Sequence, residues 1–162
     1  MKNVNIRFAR NEDARGILEA HHSAVHQTAS KDYSPEICND WSTPVTQERI
    51  SQYLNHSFPH ETSIVAEVDG EVAGFGAIVE SVNELRAVYV AAKFGHRGIG
   101  SALLIELERV AKERGCIELH LDSSVTAEAF YLFHNYQVLE YTEHALRSGR
   151  LMACVRMRKS LV

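Results

Sequence analysis

A chain of 162 residues, 45% hydrophobic and 23% charged, is long enough to bury one core and too apolar for a disordered or fibrous protein. Its net charge of −4 excludes the clustered basic face that nucleic acid requires, and Arg156, Arg158 and Lys159 make too short a basic run to change that. No apolar run approaches the roughly eighteen residues of a membrane helix, residues 1–10 lack a signal-peptide core, and the scattered Cys38, Cys116 and Cys154 form no CxxC pair, so a single domain over residues 1–162 in a reducing cytoplasm is expected.

Val4, Ile6 and Phe8 alternate with polar residues and predict a half-buried first strand. Asn11 or Asp13 then caps a helix carrying Ile17, Leu18 and Val25. Residues 31–44 break the pattern with Tyr33-Ser34-Pro35 and Trp41-Ser42-Thr43-Pro44, reading as a loop or short helix, and a second helix covers 46–54. Strands at 63–68 and 72–79 flank Asp69-Gly70, a strong hairpin signal. A third strand follows at 85–90, and then a glycine-rich turn at 95–100.

That turn opens a helix with an apolar face of Leu103, Leu104, Leu107, Val110 and Ala111, ended by Gly115. Residues 117–121 read as a buried strand, 127–134 as a short helix, and 138–145 with 151–157 as a closing hairpin around Gly149. The order β-α-α-β-β-β-α-β-α-β-β implies an α/β (α+β) single domain with a mixed sheet flanked by helices.

The chemistry concentrates in LRAVYVAAKFGHRGIGSALL, residues 85–104. A strand entering a Gly95, Gly98, Gly100 turn and then a helix presents free backbone N–H groups and a helix dipole to an anion, which suits a phosphate or pyrophosphate. No Gly-Lys-Ser/Thr follows, so this is not a P-loop. A dinucleotide fingerprint is a weaker rival. Asp122 ends the next strand where a ribose-binding acid would sit, but Leu103 stands where the third glycine belongs and the unit follows an antiparallel hairpin.

Val88-Tyr89-Val90, the turn, and Ser101-Ala102-Leu103-Leu104 resemble the acyl-CoA signature of the GNAT superfamily of N-acetyltransferases, R/Q-x-x-G-x-G/A. Gly98-Ile99-Gly100 fills its second half, whereas Gly95 replaces the usual Arg or Gln and Ala92 a frequent proline. A second segment, SVTAEAFYLFHNY at 124–136, resembles the family's N-x-x-A-x-x-F-Y-x-x-x-G-F. Ala127, Phe130 and Tyr131 match, with Val125 or Thr126 for the asparagine and Asn135-Tyr136 for Gly-Phe.

The resemblance implies acetyl-CoA as co-substrate, no metal, and direct transfer of its acetyl group to a primary amine of a small molecule, peptide or protein by a monomer or homodimer. It implies cofactor contacts along Val88, Tyr89 and Val90 and around His96, Arg97, Gly98, Ile99, Gly100 and Ser101. A bulge should splay the strand at 85–90 from that at 117–121, freeing Val88 and Val90 for pantetheine. Tyr131 is the implied general acid and Glu84 the implied base, with Asp122 a second candidate. The Gly95 and Asn135 departures leave open a non-catalytic acyl-CoA sensor of the same fold.

Two signals stand outside that pattern. His22 and His26, and separately His56 and His60, have i, i+4 spacing but no carboxylate or cysteine in a recognised ligand pattern; His22 and His26 could instead line an acceptor cleft. Tyr33 and Trp41 lie where the family builds its acceptor pocket and are candidates for an aromatic wall around the amine. Anchoring of that loop onto the core is the alternative for Trp41.

Overall fold

A computed structural model describes residues 3–56 and 60–162. In chain order the elements are β1 (Val4–Phe8), α1 (Ala14–Ser23), α2 (Pro35–Trp41), α3 (Gln47–Asn55), β2 (Glu61–Val68), β3 (Glu71–Val79), β4 (Glu84–Val90), α4 (Ile99–Glu113), β5 (Glu118–Ser124), α5 (Glu128–Phe133), β6 (Gln137–Ala145) and β7 (Leu151–Ser160). The expected order holds with one addition, α2. Pro35 fits its first turn, and the Ser34 hydroxyl accepts the Ile37 N–H at 3.2 Å.

Seven strands form one sheet in the order β1-β2-β3-β4-β5-β7-β6. All neighbours are antiparallel except β4 and β5. Asp69 and Gly70 take φ of 51° and 80°, the paired left-handed geometry that a two-residue hairpin needs. The two sheet faces are covered by different helices. His21 of α1 lies against Phe75, whereas a Cβ on the neighbouring Gly76 would stand 2.5 Å from Leu107 of α4. Adjacent strand residues point to opposite faces, so α1 and α4 sandwich β3. The expected apolar face of α4 is buried throughout.

Three local expectations change. Asp13 does not cap α1 through the helix amides; it accepts the Arg10 N–H at 2.7 Å and clamps the Arg7 guanidinium at 2.8 and 2.9 Å. That pairing draws its carboxyl below the ordinary range. The fifth strand is not buried along its whole length, because Ile117 is 63% exposed and burial then alternates, with Leu119, Leu121 and Ser123 turned inward. In β1, Phe8 faces solvent with the Arg114 guanidinium over its ring.

Candidate active site

The sheet opens at its centre. β4 and β5 pair at one position, Glu84 with His120, while β5 stays paired with β7 along seven residues from Glu118 to Ser124. The cause is local to β4. Its register against β3 passes from Ala87–Ala77 to Leu85–Ile78, leaving Arg86 as an extra, bulged residue that bends the strand. The expected splay is therefore present.

The register also decides which backbone groups face the gap. The Ala91 N–H donates to Ala73 O at 2.9 Å, towards β3. Because strand amides alternate, Tyr89 and Ala87 also point to β3, and the N–H and C=O groups of Val88 and Val90 point into the gap. Tyr89, grouped with Val88 and Val90 by sequence, separates from them here: its backbone bonds β3 and its phenol enters a different cavity.

The glycine turn closes one end of the gap. Gly98 caps α4 at φ 78°, and His96 takes φ 59°. A Cβ at Gly98 would meet no atom within 4 Å, so open space lies before the free amides of the α4 first turn. Gly95, at φ −63° and ψ 156°, needs no glycine on conformational grounds. Arg97 lies over the Phe94 ring, and the Ser101 hydroxyl meets His134 Nε2 at 2.8 Å.

The second motif docks on the first. A Cβ at Gly100 would sit 3.4 Å from the Phe130 ring, so α5 rests on the opening of α4. Asn135 takes φ 68°, a left-handed position that asparagine tolerates in place of glycine, and Tyr136 is buried where phenylalanine is usual. Three residues before Ala127 stands Ser124, not Val125 or Thr126. Its hydroxyl accepts the Ala127 N–H at 3.2 Å and holds the turn that an asparagine would hold. Tyr131 is 6% exposed and packs edge-on to Phe130 and Tyr136. Burial, with Tyr89 nearby, raises its phenol well above the ordinary tyrosine range.

On the α1 face lies a cleft of about 1160 Å³. Trp41, Tyr89, Phe75 and His21 form an aromatic wall, with Tyr89 stacked on Phe75 at 5.5 Å and edge-on to His21 at 4.6 Å. Burial pushes the Tyr89 phenol up to about 12 and the His21 imidazole down to about 4, so both are neutral near pH 7. His21 Nδ1 is 2.9 Å from the Ser42 hydroxyl. Tyr33 does not line this cleft. Its hydroxyl donates to Ala153 O at 2.6 Å and accepts from Val125 N at 2.9 Å, pinning α2 to the sheet behind Trp41.

Asp40, Glu48 and Glu61 line the cleft; Asp40 is held by Arg150, and Glu61 stands at the start of β2. Burial raises its pKa, while Ser63 and Arg86 (3.4 Å) partly oppose that rise. Glu84 sits at the rim, 3.8 Å from Arg86, and Asp122 is held by Arg156 at 3.2 Å on the exposed strand surface. Neither lines the cleft. Sequence reasoning had no signal for Glu61, a lone acid before an apolar run, nor for His21, beside the histidines whose spacing drew notice.

The remaining candidates serve other ends. The His22 and His26 rings stack at 4.1 Å, and His26 Nε2 is 2.7 Å from Ser42 O. Among the described residues no group of three or more His, Cys, Asp or Glu is placed to hold a metal ion. Burial raises the pKa of all three thiols, which leaves them inert packing groups. No helix among the described residues is long and apolar enough to cross a membrane.

Residues 22–136 match the Acetyltransferase (GNAT) family. The chain belongs to this family. It is 27% identical over 140 residues to the uncharacterized N-acetyltransferase YafP of Escherichia coli (strain K12), covering 86% of this chain and 85% of that one. A GCN5-related N-acetyltransferase from Rhodopseudomonas palustris shares the fold at TM-score 0.86 and 24% identity, covering 99% and 97% of the two chains. The PaiA N-acetyltransferase from Thermoplasma acidophilum, solved with coenzyme A, does so at 0.74 and 21%, covering 98% and 99%. This GNAT enzyme transfers an acetyl group from acetyl-CoA to an amine. A purely sensory domain is thereby set aside.

Proposed function

We propose that this acetyltransferase seats acetyl-CoA in the gap between β4 and β5 and acetylates a small-molecule or peptide amine delivered from the aromatic cleft. The observation that carries this reading is the single-residue pairing of β4 with β5 beside an open glycine turn. Residues of both families of contacts are in place: Val88 and Val90 offer strand-like hydrogen bonds to pantetheine amides, and the turn from His96 to Ser101 offers N–H groups to the pyrophosphate. A GNAT structure solved with coenzyme A supports that choice of ligand.

The chain's own groups divide the reaction. Glu61, in place of Glu84, takes a proton from the ammonium, directly or through water, because only the neutral amine has a free electron pair. The amine nitrogen bonds to the thioester carbon, and a strand N–H facing the gap stabilises the developing oxyanion, a contribution of ~2.7–4 kcal/mol. As the C–S bond breaks, Tyr131 donates its proton to the thiolate, the nitrogen of the new amide loses its extra proton to solvent, and Tyr131 regains one from solvent. Its raised pKa keeps the phenol protonated until that moment.

The test joins binding to turnover. Acetyl-CoA at a hundredfold over its Kd stabilises a native-state receptor by about 2.7 kcal/mol, a Tm rise on the order of 5–10 °C. That shift, together with CoA release on adding amines, is expected. A melt unmoved by millimolar acetyl-CoA would exclude the assigned binding site.

A further inference from the structure

Arg49 and Arg147 both line the cleft, and neither is in ion-pair contact with an acid among the described residues. Arg49 comes from α3, and Arg147 from the hairpin that joins β6 to β7. Arg49 donates to neutral oxygens only, Thr43 O and, at 3.4 Å, the Ser42 hydroxyl. Neither guanidinium has a carboxylate within 4.0 Å among the described residues. Burial in the cleft, and after it the Arg147 charge, lowers the Arg49 pKa, and the Arg49 charge reaches His21 and His22 as well.

This arrangement is unusual for the chain, where most arginines are matched to acids. Arg7, Arg86, Arg109, Arg150 and Arg156 all have such partners. Of the three acids that line the cleft, Glu48 accepts from Gln52 Nε2 at 3.4 Å and makes no ion pair among the described residues, and the other two are committed to other arginines. Asp40 is taken by Arg150 at 3.0 Å and by Ser148, bonds that also fix the hairpin carrying Arg147 to α2. Glu61 is paired with Arg86. Like charges held together in a partly desolvated cavity are destabilising unless an anion joins them.

We propose that Arg49 and Arg147 form an oxyanion subsite, so that the acceptor is a small zwitterion bearing a carboxylate or phosphonate beside its amine. The proposal deepens the acetyltransferase reading above and rests on it. Guanidinium groups suit this role because their planar donor forks match two oxygens of one anion. With the anion held between α3 and the hairpin, the aromatic wall of Trp41, Tyr89 and Phe75 is left for an apolar substituent. The amine then extends towards Glu61 and the β4 bulge. A free amino acid with an apolar side chain has all three parts, whereas a peptide N-terminus lacks the nearby carboxylate.

The experiment uses matched acceptors: L-phenylalanine, phenylalaninamide, phenethylamine and the phosphonate analogue of phenylalanine, each assayed for CoA release. The acids are expected to exceed the amide and the plain amine at least tenfold in kcat/KM. The carboxylate and phosphonate arms distinguish the two kinds of oxyanion. Arg147→Ala and Arg49→Gln are expected to collapse that ratio, chiefly through KM for the anionic acceptor. Equal use of neutral and anionic acceptors, or equal losses for all of them, would overturn the subsite.

If no acceptor turns over, binding still decides. Trp41 is the only tryptophan in the chain and lines the cleft, so its fluorescence reports occupancy. Titrating the same four compounds into the CoA-loaded protein should rank the acids tighter, and the ranking should vanish in Arg147→Ala. No difference between acids and neutral analogues would reject the proposal. The acetyl-CoA melt is read separately, so failure of the acetyltransferase reading and failure of the subsite remain distinct.

Discussion

The Ser101 hydroxyl and the His134 Nε2 meet at 2.8 Å, joining the first turn of α4 to the end of α5. Two sequence motifs some thirty residues apart are thus one structural unit, with Phe130 resting against Gly100 beside the same bond. The sequence reading assigns Ser101 to the cofactor; the structure directs its hydroxyl to the imidazole. Ser101→Ala should therefore lower Tm by a few degrees, for a hydrogen bond of about 1 kcal/mol, while acetyl-CoA KM stays within about threefold. A large KM increase with unchanged Tm would return the hydroxyl to the phosphate.

The three turn glycines should respond differently to substitution. Gly98 sits at φ 78°, so Gly98→Val strains the backbone and fills the open space before the α4 amides. Loss of the acetyl-CoA thermal shift is expected. Gly95 lies at φ −63°, where any residue fits, with only the Ala92 carbonyl close, 3.2 Å from a new Cβ. Gly95→Arg restores the family side chain and should tighten acetyl-CoA binding, measured by calorimetry.

The fold was legible because its signals are local and redundant. Asp69-Gly70, the α4 stripe and Gly115 each specify backbone geometry within a few residues. The acyl-CoA half of the proposed site was legible for the same reason, since it consists of one strand, one turn and one helix start. The proposed acceptor half was not. Its wall takes Trp41 from α2, His21 from α1, Phe75 from β3 and Tyr89 from β4, residues that only tertiary packing assembles. Tyr33 and Trp41 looked equivalent in sequence, yet one spends its hydroxyl on two backbone groups and the other lines the cleft. Glu84 was favoured for its place just before the strand expected at 85–90, but it is the first residue of β4 and does not line the cleft.

His21 makes stability depend on acidity. Its folded pKa is depressed to about 4 from 6.5, chiefly by burial, so the folded state refuses a proton that the unfolded chain accepts. No penalty exists above pH 6.5, and stability falls as pH drops from there towards 4. The full shift corresponds to at most about 3 kcal/mol. His21→Asn should flatten that part of a pH series of chemical denaturations, whatever its effect at neutral pH.

Tyr131→Phe keeps the buried ring between Phe130 and Tyr136 and removes only the hydroxyl. General acid catalysis contributes roughly 10²–10⁴-fold, and because a thiolate leaves readily the low end is expected for kcat. Acetyl-CoA affinity should change little, since backbone groups carry it. A variant that turns over at the parental rate would assign Tyr131 to packing alone.

Glu61 and Glu84 separate in a paired substitution. A base must be ionised to accept the amine proton, and burial raises the Glu61 pKa, so the acid limb of kcat/KM should lie above that of an ordinary carboxylate near 4.3. Glu61→Gln removes the charge and the basicity of the carboxylate while keeping its shape, and it should lower kcat/KM at pH 7 by about 10²-fold and abolish that limb. Raising the pH should restore part of the activity, because solvent then supplies more neutral amine. Glu84→Gln leaves the cleft lining intact and loosens only the 3.8 Å contact with Arg86, so a change of less than about threefold is expected for an exposed ion pair. The opposite pattern, with a limb lost in Glu84→Gln and kept in Glu61→Gln, would move the base to the rim and imply a water chain reaching past Arg86.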